Sequence, residues 1–186
     1  MKTVFLDRDG VINKNLDNDY VKRWDEFEFL PKSREAIKAL TDAGWDIVVI
    51  SNQAGVGKGL MTSRDVREIN ANMIAEIERC GGKIKAVYFC PHKPDDGCDC
   101  RKPKPGMLLR AAREYGIELT KSYLIGDKIT DIQTGAQVGC TTILVRTGKG
   151  EEDLQSRDQW PVSPDYIAAD LFEAVQFLLN MNEGEQ

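Results

Sequence analysis

The sequence predicts an α/β fold, a doubly wound parallel sheet with helices on both of its faces. Three observations predict it. Short apolar runs recur along the chain and do not alternate with polar residues, as strands buried on both faces require. Between these runs lie stretches with apolar residues at helical spacing. The runs lead into residues that can react or coordinate, namely Asp7, Ser51, Cys90 and Asp127. Ligands of parallel sheets bind beyond the carboxyl ends of the strands, so these four side chains are expected along one edge.

Val4-Phe5-Leu6 is the first strand and leads into the turn Asp7-Arg8-Asp9-Gly10. Pro31 is placed to open a helix that carries Ala36, Ile37, Leu40 and Ala43 and closes at Gly44. Ile47-Val48-Val49-Ile50 is a second strand, ending in Ser51-Asn52. Thr62 and Asp65 form a capping box for the next helix, with Met61 and Val66 as a hydrophobic staple. Val66, Ile69, Met73 and Ile77 mark its buried face, and Gly81-Gly82 ends it. Ala86-Val87-Tyr88-Phe89 is a third strand. Leu108, Leu109 and Ala112 place a helix after Pro105, and Tyr123-Leu124-Ile125 is a fourth strand that ends in Gly126-Asp127. Ile129, Ile132 and Ala136 mark a helix up to Gly139, followed by a fifth strand, Thr142-Ile143-Leu144-Val145. The chain from Gly148 to Pro164 reads as loop. Asp170 and Glu173 then open a last helix bearing Leu171, Val175 and Leu178. Residues 182–186 read as a frayed end. With no repeat or linker in view, residues 1–186 are expected to form one domain without a separate cap.

Hydrophobic residues at 41% and charged residues at 30% are those of an ordinary globular chain. A net charge of −5 argues against the basic face that nucleic acid or an acidic membrane would want. No apolar run approaches the roughly 20 residues that span a bilayer, and no leader opens the chain. A cytoplasmic monomer acting on a small molecule is the expectation.

Asp7 and Asp9 stand two apart, and Asp127 and Asp131 form a second acidic pair. Hard Mg²⁺ needs oxygen ligands and often takes only one or two carboxylates. Gathered at a sheet edge, Asp7 and Asp127 would supply that charge. An ionised Asp7 beside a metal and a lysine is a nucleophile, and Asp9 is placed to protonate a leaving alcohol and then activate water. Read alone, Asp-Arg-Asp-Gly is equally a solvated turn. A calcium loop counted from Asp7 would need Gly and Glu where Ile12 and Asn18 stand, so it fails. Gly55-Val56-Gly57-Lys58-Gly59 lacks the Ser or Thr of a phosphate loop after Lys58, and reads as a mobile loop or a plain turn.

Cys90, His92, Cys98 and Cys100 bring three thiolates and one imidazole into eleven residues, a ligand set suited to tetrahedral structural Zn²⁺. A full set leaves no open position, so the metal would tie down the loop over residues 90–100 and do no chemistry. Free thiols beside a surface histidine are the plain alternative. Cys80 and Cys140 read as buried small side chains.

Phe5-Leu6-Asp7-Arg8-Asp9-Gly10, Ile50-Ser51-Asn52, Arg101-Lys102-Pro103 and Gly126-Asp127 with Asp131 together resemble the four ordered motifs of the haloacid dehalogenase superfamily. The resemblance implies a phosphatase with Asp7 as nucleophile and Asp9 as general acid/base. It places Mg²⁺ on Asp7, Asp127 and the main-chain carbonyl of Asp9. It gives Ser51 and Lys102 the task of holding the transferring phosphoryl group, and Asp131 that of support. The zinc loop ahead of Arg-Lys-Pro is similar to a branch acting on heptose bisphosphate or histidinol phosphate. Pro103-Lys104-Pro105-Gly106-Met107, Gly126-Asp127-Lys128 and the run from Leu144 to Lys149 favour the heptose side, where the product would feed lipopolysaccharide or another surface glycan. On that resemblance Arg101 and Lys128 bind the phosphate that stays, Asn52, Gln53 and Ala54 line the sugar site, and residues 15–18 approach the substrate. A histidinol-phosphate phosphatase and a catalytically silent, zinc-stabilised binding module are the alternatives.

Overall fold

The computed structural model describes residues 2–183. Six parallel strands form one sheet in the order β3-β2-β1-β4-β5-β6. In chain order the elements are β1 (Thr3–Asp7), α1 (Ser33–Asp42), β2 (Asp46–Asn52), α2 (Ala54–Gly57) and α3 (Ser63–Arg79). Then follow β3 (Ala86–Cys90), α4 (Gly106–Tyr115), β4 (Tyr123–Gly126), α5 (Ile129–Ala136) and β5 (Thr141–Val145). The chain closes with α6 (Gly150–Leu154), β6 (Tyr166–Ala168) and α7 (Leu171–Glu183). None of these helices is long and apolar enough to cross a membrane.

Every residue of β1 is buried, which is why its sequence shows no alternation. Its side chains divide between two cores. Val4 and Leu6 join Ile47 and Val49 of β2 and Ile143 of β5 against α1, α3 and α7. Phe5 joins Val48, Ile50 and Leu124 against Met107, Leu108 and Ala111 of α4. Helix α5 lies on the α4 side, so close that a Cβ at Gly135 would touch Leu124. Burying one such aliphatic side chain contributes roughly 1.5–3 kcal/mol. The sheet is therefore a rigid base for whatever its edge carries.

The capping box of α3 forms as the sequence predicts: Thr62 Oγ1 accepts from Asp65 N–H at 3.2 Å, and Asp65 returns the contact to Thr62 N–H at 2.7 Å. At the start of α7, Asp170 Oδ1 accepts from Glu173 N–H at 2.8 Å, while Glu173 Oε2 accepts from Ala169 N–H at 2.6 Å. Other expectations change. Helix α1 starts at Ser33, because Lys32 takes a left-handed conformation with φ 58°. In α4 the inward residues are Met107, Leu108 and Ala111, while Leu109 is 41% exposed. Helix α4 opens at Gly106, and that phase turns Leu109 to water. Cys140 is buried, but Cys80 is exposed, since it caps α3 beyond the last residue of the buried face. The Gly55–Gly59 stretch is no free loop: α2 folds there, and Gly57 N–H donates to the Pro91 carbonyl at 2.8 Å. The segment read as loop after Gly148 holds α6 and a 3-10 turn (Arg157–Gln159), and the three-residue β6 follows it at the sheet edge. Of the expected frayed end, residues 182 and 183 are helical, and residues 184–186 lie outside the described residues.

Candidate active site

Parallel pairing aligns the strand ends, with Asp7 opposite Ile50 and Asn52 opposite Cys90. Asp7, Ser51, Cys90 and Asp127 thus share one edge. An oxygen from each of Asp7, Asp127 and Asp131 lies within 4.8 Å of the others, and all three side chains are buried. Lys102 enters this cluster from the loop before α4. Its Nζ sits 3.0 Å from Asp7 Oδ1 and 2.6 Å from Asp131 Oδ1, with only 3% of the residue exposed. The main chain of Lys102 is held in turn: its N–H donates to Asn52 Oδ1 at 3.1 Å, and its carbonyl accepts from Asn52 Nδ2 at 3.1 Å. The cation is positioned by the end of β2, fifty residues away.

Asp131 serves two partners. One oxygen faces Lys102, and Oδ2 accepts from Lys128 N–H at 3.1 Å, so the residue that caps α5 also balances the buried lysine. Asp127 Oδ2 accepts from Lys149 N–H at 2.8 Å, while the buried Oδ1 has no hydrogen-bond partner among the described residues. That contact requires glycine on either side. Gly10 (φ +90°) and Gly148 (φ +60°) press on Asp127, where an added Cβ would stand 2.1 and 2.2 Å from Oδ2. Thr147 Oγ1 clamps the two segments by donating to the Gly10 carbonyl at 2.7 Å. Thr147, Gly148 and Lys149 were missed as site residues by sequence reasoning. A glycine in the turn that follows β5 was the available signal.

The electrostatics follow from burial. Burial pushes the Asp7 carboxyl up to about 6, against the pull of Lys102 and with Asp131 adding to the rise. Burial, with Asp7 and Asp131 close by, holds Asp127 well above the carboxylate range. Such a cluster is short of positive charge. The orphaned Asp127 oxygen, the like charges and the all-oxygen donor set fit a hard dication such as Mg²⁺.

Asp9 is different. Burial would raise it, but the Arg8 guanidinium and hydrogen bonds from Asn13, Arg8 and Gln53 outweigh that and hold it below its usual range. Arg8 Nη2 donates at 3.1 Å, Asn13 Nδ2 at 2.9 Å and Gln53 Nε2 at 2.6 Å. Gln53 Nε2 also reaches Ser51 Oγ at 2.7 Å. This changes two expectations. Gln53 and Ala54, expected at the sugar site, are buried and are not among the residues that line the cavity, Gln53 turning inward to the Asp9 carboxylate. Asn52 does reach the cavity beside the cluster. That cavity, about 380 Å³, is also lined by Asp9, Asn15, Leu16, Asn18, Asp19, Tyr20, Val21, Lys58, Lys128 and Lys149. Of residues 15–18, expected near the substrate, all but Asp17 line this cavity. Arg101 is not among the lining residues; its Nη1 lies 3.4 Å from the His92 carbonyl, drawn to the cysteine loop.

Cys90, His92, Cys98 and Cys100 gather as a group. Cys90 Sγ lies 3.6 Å from Cys98 Sγ and 3.5 Å from His92 Nδ1, and His92 Nδ1 lies 3.3 Å from Cys100 Sγ. These separations are too long for a disulfide, and they match the ~3.7 Å edge of a tetrahedron with Zn–S bonds near 2.3 Å. The group fits zinc.

Residues 99–174 match the HAD-hydrolase-like family. The chain is 43% identical over 151 residues to a D-glycero-beta-D-manno-heptose-1,7-bisphosphate 7-phosphatase of Pseudomonas aeruginosa, covering 81% of this chain and 84% of the relative. It is 36% identical to a protein of that name from Neisseria meningitidis, over 100% of this chain and 99% of the relative. It also resembles the crystal structure of the D,D-heptose 1,7-bisphosphate phosphatase of B. bronchiseptica complexed with magnesium and phosphate. That match has a TM-score of 0.91 and 40% identity, and covers 97% of this chain and 99% of that one.

Proposed function

The chain belongs to the haloacid dehalogenase-like phosphatases, and from that membership we propose that it removes the C7 phosphate of D-glycero-D-manno-heptose 1,7-bisphosphate by way of an aspartyl-phosphate on Asp7. One observation carries the reading: identity of 36–44% over 83–100% of the chain to proteins bearing that name, in a chain that carries Asp7, Asp9, Lys102 and Asp127. The same four side chains speak against a silent binding module.

Asp7 Oδ1 is occupied by Lys102 and by the N–H of Arg8 at 2.7 Å, so Oδ2 is the oxygen available for attack on phosphorus. Lys102 offsets charge on the phosphoryl oxygens during transfer, and Ser51 Oγ holds one of them. The proton for the departing sugar oxygen enters with the monoanionic phosphate ester and passes through Asp9, whose carboxylate then takes one from the water that cleaves the acyl phosphate. The contacts of Asp9 with Arg8, Asn13 and Gln53 keep it ionised at rest, which suits the second of these tasks. Mg²⁺, held by Asp7, Asp127 and the Asp9 carbonyl, would supply charge neutralisation at the transferring group. Zn²⁺ on Cys90, His92, Cys98 and Cys100 would keep the loop that delivers Lys102 in register. Arg101 and Lys128 are proposed contacts for the retained phosphate, Arg101 after turning from the His92 carbonyl. Three thiolates kept reduced for zinc suit a cytoplasmic setting. All the groups come from one chain, so a monomer suffices.

Phosphate release from both anomers of the heptose bisphosphate and from histidinol phosphate, with and without Mg²⁺, tests the reading. Asp7→Asn should abolish turnover in every case. Full activity in that variant would rule out the aspartyl-phosphate, and a preference for histidinol phosphate would overturn the substrate.

A further inference from the structure

Three lysines line the cavity beside the carboxylate cluster, and they are not equivalent. Lys128 adjoins the cluster: it follows Asp127 directly, and its N–H donates to Asp131 Oδ2 at 3.1 Å. Lys149 is paired with Glu152 at 3.1 Å and Asp17 at 3.7 Å. Lys58 has no carboxylate partner among the described residues; its Nζ instead lies 5.3 Å from the centre of the Tyr20 ring. Asp19, an acidic residue on the same wall, is neutralised by Lys22 at 2.7 Å. Lys58 is thus the cavity cation that stands away from the carboxylate cluster and, among the described residues, has no carboxylate ion pair.

That cation is well placed by its surroundings. Lys58 follows α2 directly, and its N–H donates to the Ala54 carbonyl at 3.0 Å, while Gly57 is tied to Pro91 of the cysteine loop. Tyr20 is packed so closely on α2 that a Cβ at Gly55 would come within 3.0 Å of its ring. The ring gives the ammonium group a resting place without neutralising it, since a cation–π contact leaves the full charge available to an anion. We propose that Lys58 is a specificity-determining residue that receives the phosphate the enzyme does not remove, with Tyr20 positioning it. This rests on the bisphosphate reading above, and makes preference for a doubly phosphorylated sugar a property of α2 and the 15–20 segment. The Arg-Lys-Pro loop is then not its sole source.

The test compares heptose 1,7-bisphosphate with heptose 7-phosphate on wild type, Lys58→Gln, Lys58→Arg and Tyr20→Leu. A charge-assisted contact to phosphate corresponds to about a tenfold effect. Lys58→Gln should lower the bisphosphate-to-monophosphate ratio of kcat/KM about tenfold, through KM and not kcat. Lys58→Arg should restore most of the ratio, and Tyr20→Leu should lower it by a smaller factor. An unchanged ratio in Lys58→Gln, or an effect confined to kcat, would overturn the proposal while leaving the heptose bisphosphate reading intact. A wild-type enzyme that turns over neither substrate would overturn both.

Discussion

Replacing Asp131 with asparagine separates its two tasks. Asparagine keeps the shape and an amide oxygen for Lys128 N–H, so the cap of α5 survives, but the charge 2.6 Å from Lys102 Nζ is lost. Breaking a fully buried ion pair costs ~3–5 kcal/mol when the partner is left uncompensated. Lys102 is not left so, because Asp7 Oδ1 remains 3.0 Å away. The loss should therefore fall near the ~2 kcal/mol of one charge-assisted contact. Lys102 should draw closer to Asp7, reducing the nucleophile's charge and leaving the phosphoryl group. At 1.36 kcal/mol per decade, kcat should fall about 30-fold. The thermal midpoint should move only a few degrees, since one negative charge is also removed from beside Asp7 and Asp127. Asp131→Ala, which loses the cap as well, should lower the midpoint further with a similar kcat. Steady-state phosphate release and thermal melts measure both quantities. A folded Asp131→Asn protein with kcat within about threefold of wild type would refute the reasoning and leave Asp131 as a cap only.

Gly148→Ala should cost activity without unfolding the sheet: φ is +60° and the new Cβ would lie 2.2 Å from Asp127 Oδ2, so Asp127 must move. A kcat loss of about 100-fold or more, near 3 kcal/mol of lost electrostatic stabilisation, is expected beside an unchanged far-ultraviolet circular dichroism spectrum. Metal response should depend on pH. Asp7 is raised from 3.8 to about 6, so without metal the folded protein holds a proton that the unfolded chain has lost, and stability declines as pH rises across that window. Mg²⁺ needs the ionised form, so its increase in thermal midpoint should be small at pH 5 and grow to a plateau above pH 7. An increment independent of pH would count against Asp7 as a ligand. Thiol titration tests the zinc group. One thiol, the exposed Cys80, should react in the native protein, and three more should follow treatment with a strong chelator. Burial pushes Cys140 up to about 12, so it should react only on unfolding. Four thiols reactive in the native state would argue against bound metal.

Much was legible in the sequence because a strand buried on both faces shows itself as an uninterrupted apolar run. Five of the six strands, the caps at Thr62 and Asp170, and the convergence of Asp7, Ser51, Cys90 and Asp127 all follow from that and from parallel topology. The four zinc-type ligands were legible because they are close in sequence. The short β6 was not: Tyr166–Ala168 is a three-residue edge strand, too brief for any periodicity.

By itself, then, the sequence determined which reactive groups share the sheet edge, since position at a strand end is set by local pattern and topology. Only the tertiary structure decided where their side chains go. Gln53 turns inward because Asp9 and Ser51 offer it partners there, and Arg101 turns to the His92 carbonyl. Gly148 reaches Asp127 across 21 residues, and Asn52 fixes Lys102 across fifty. Those directions come from contacts between segments far apart in the chain, which local periodicity does not encode.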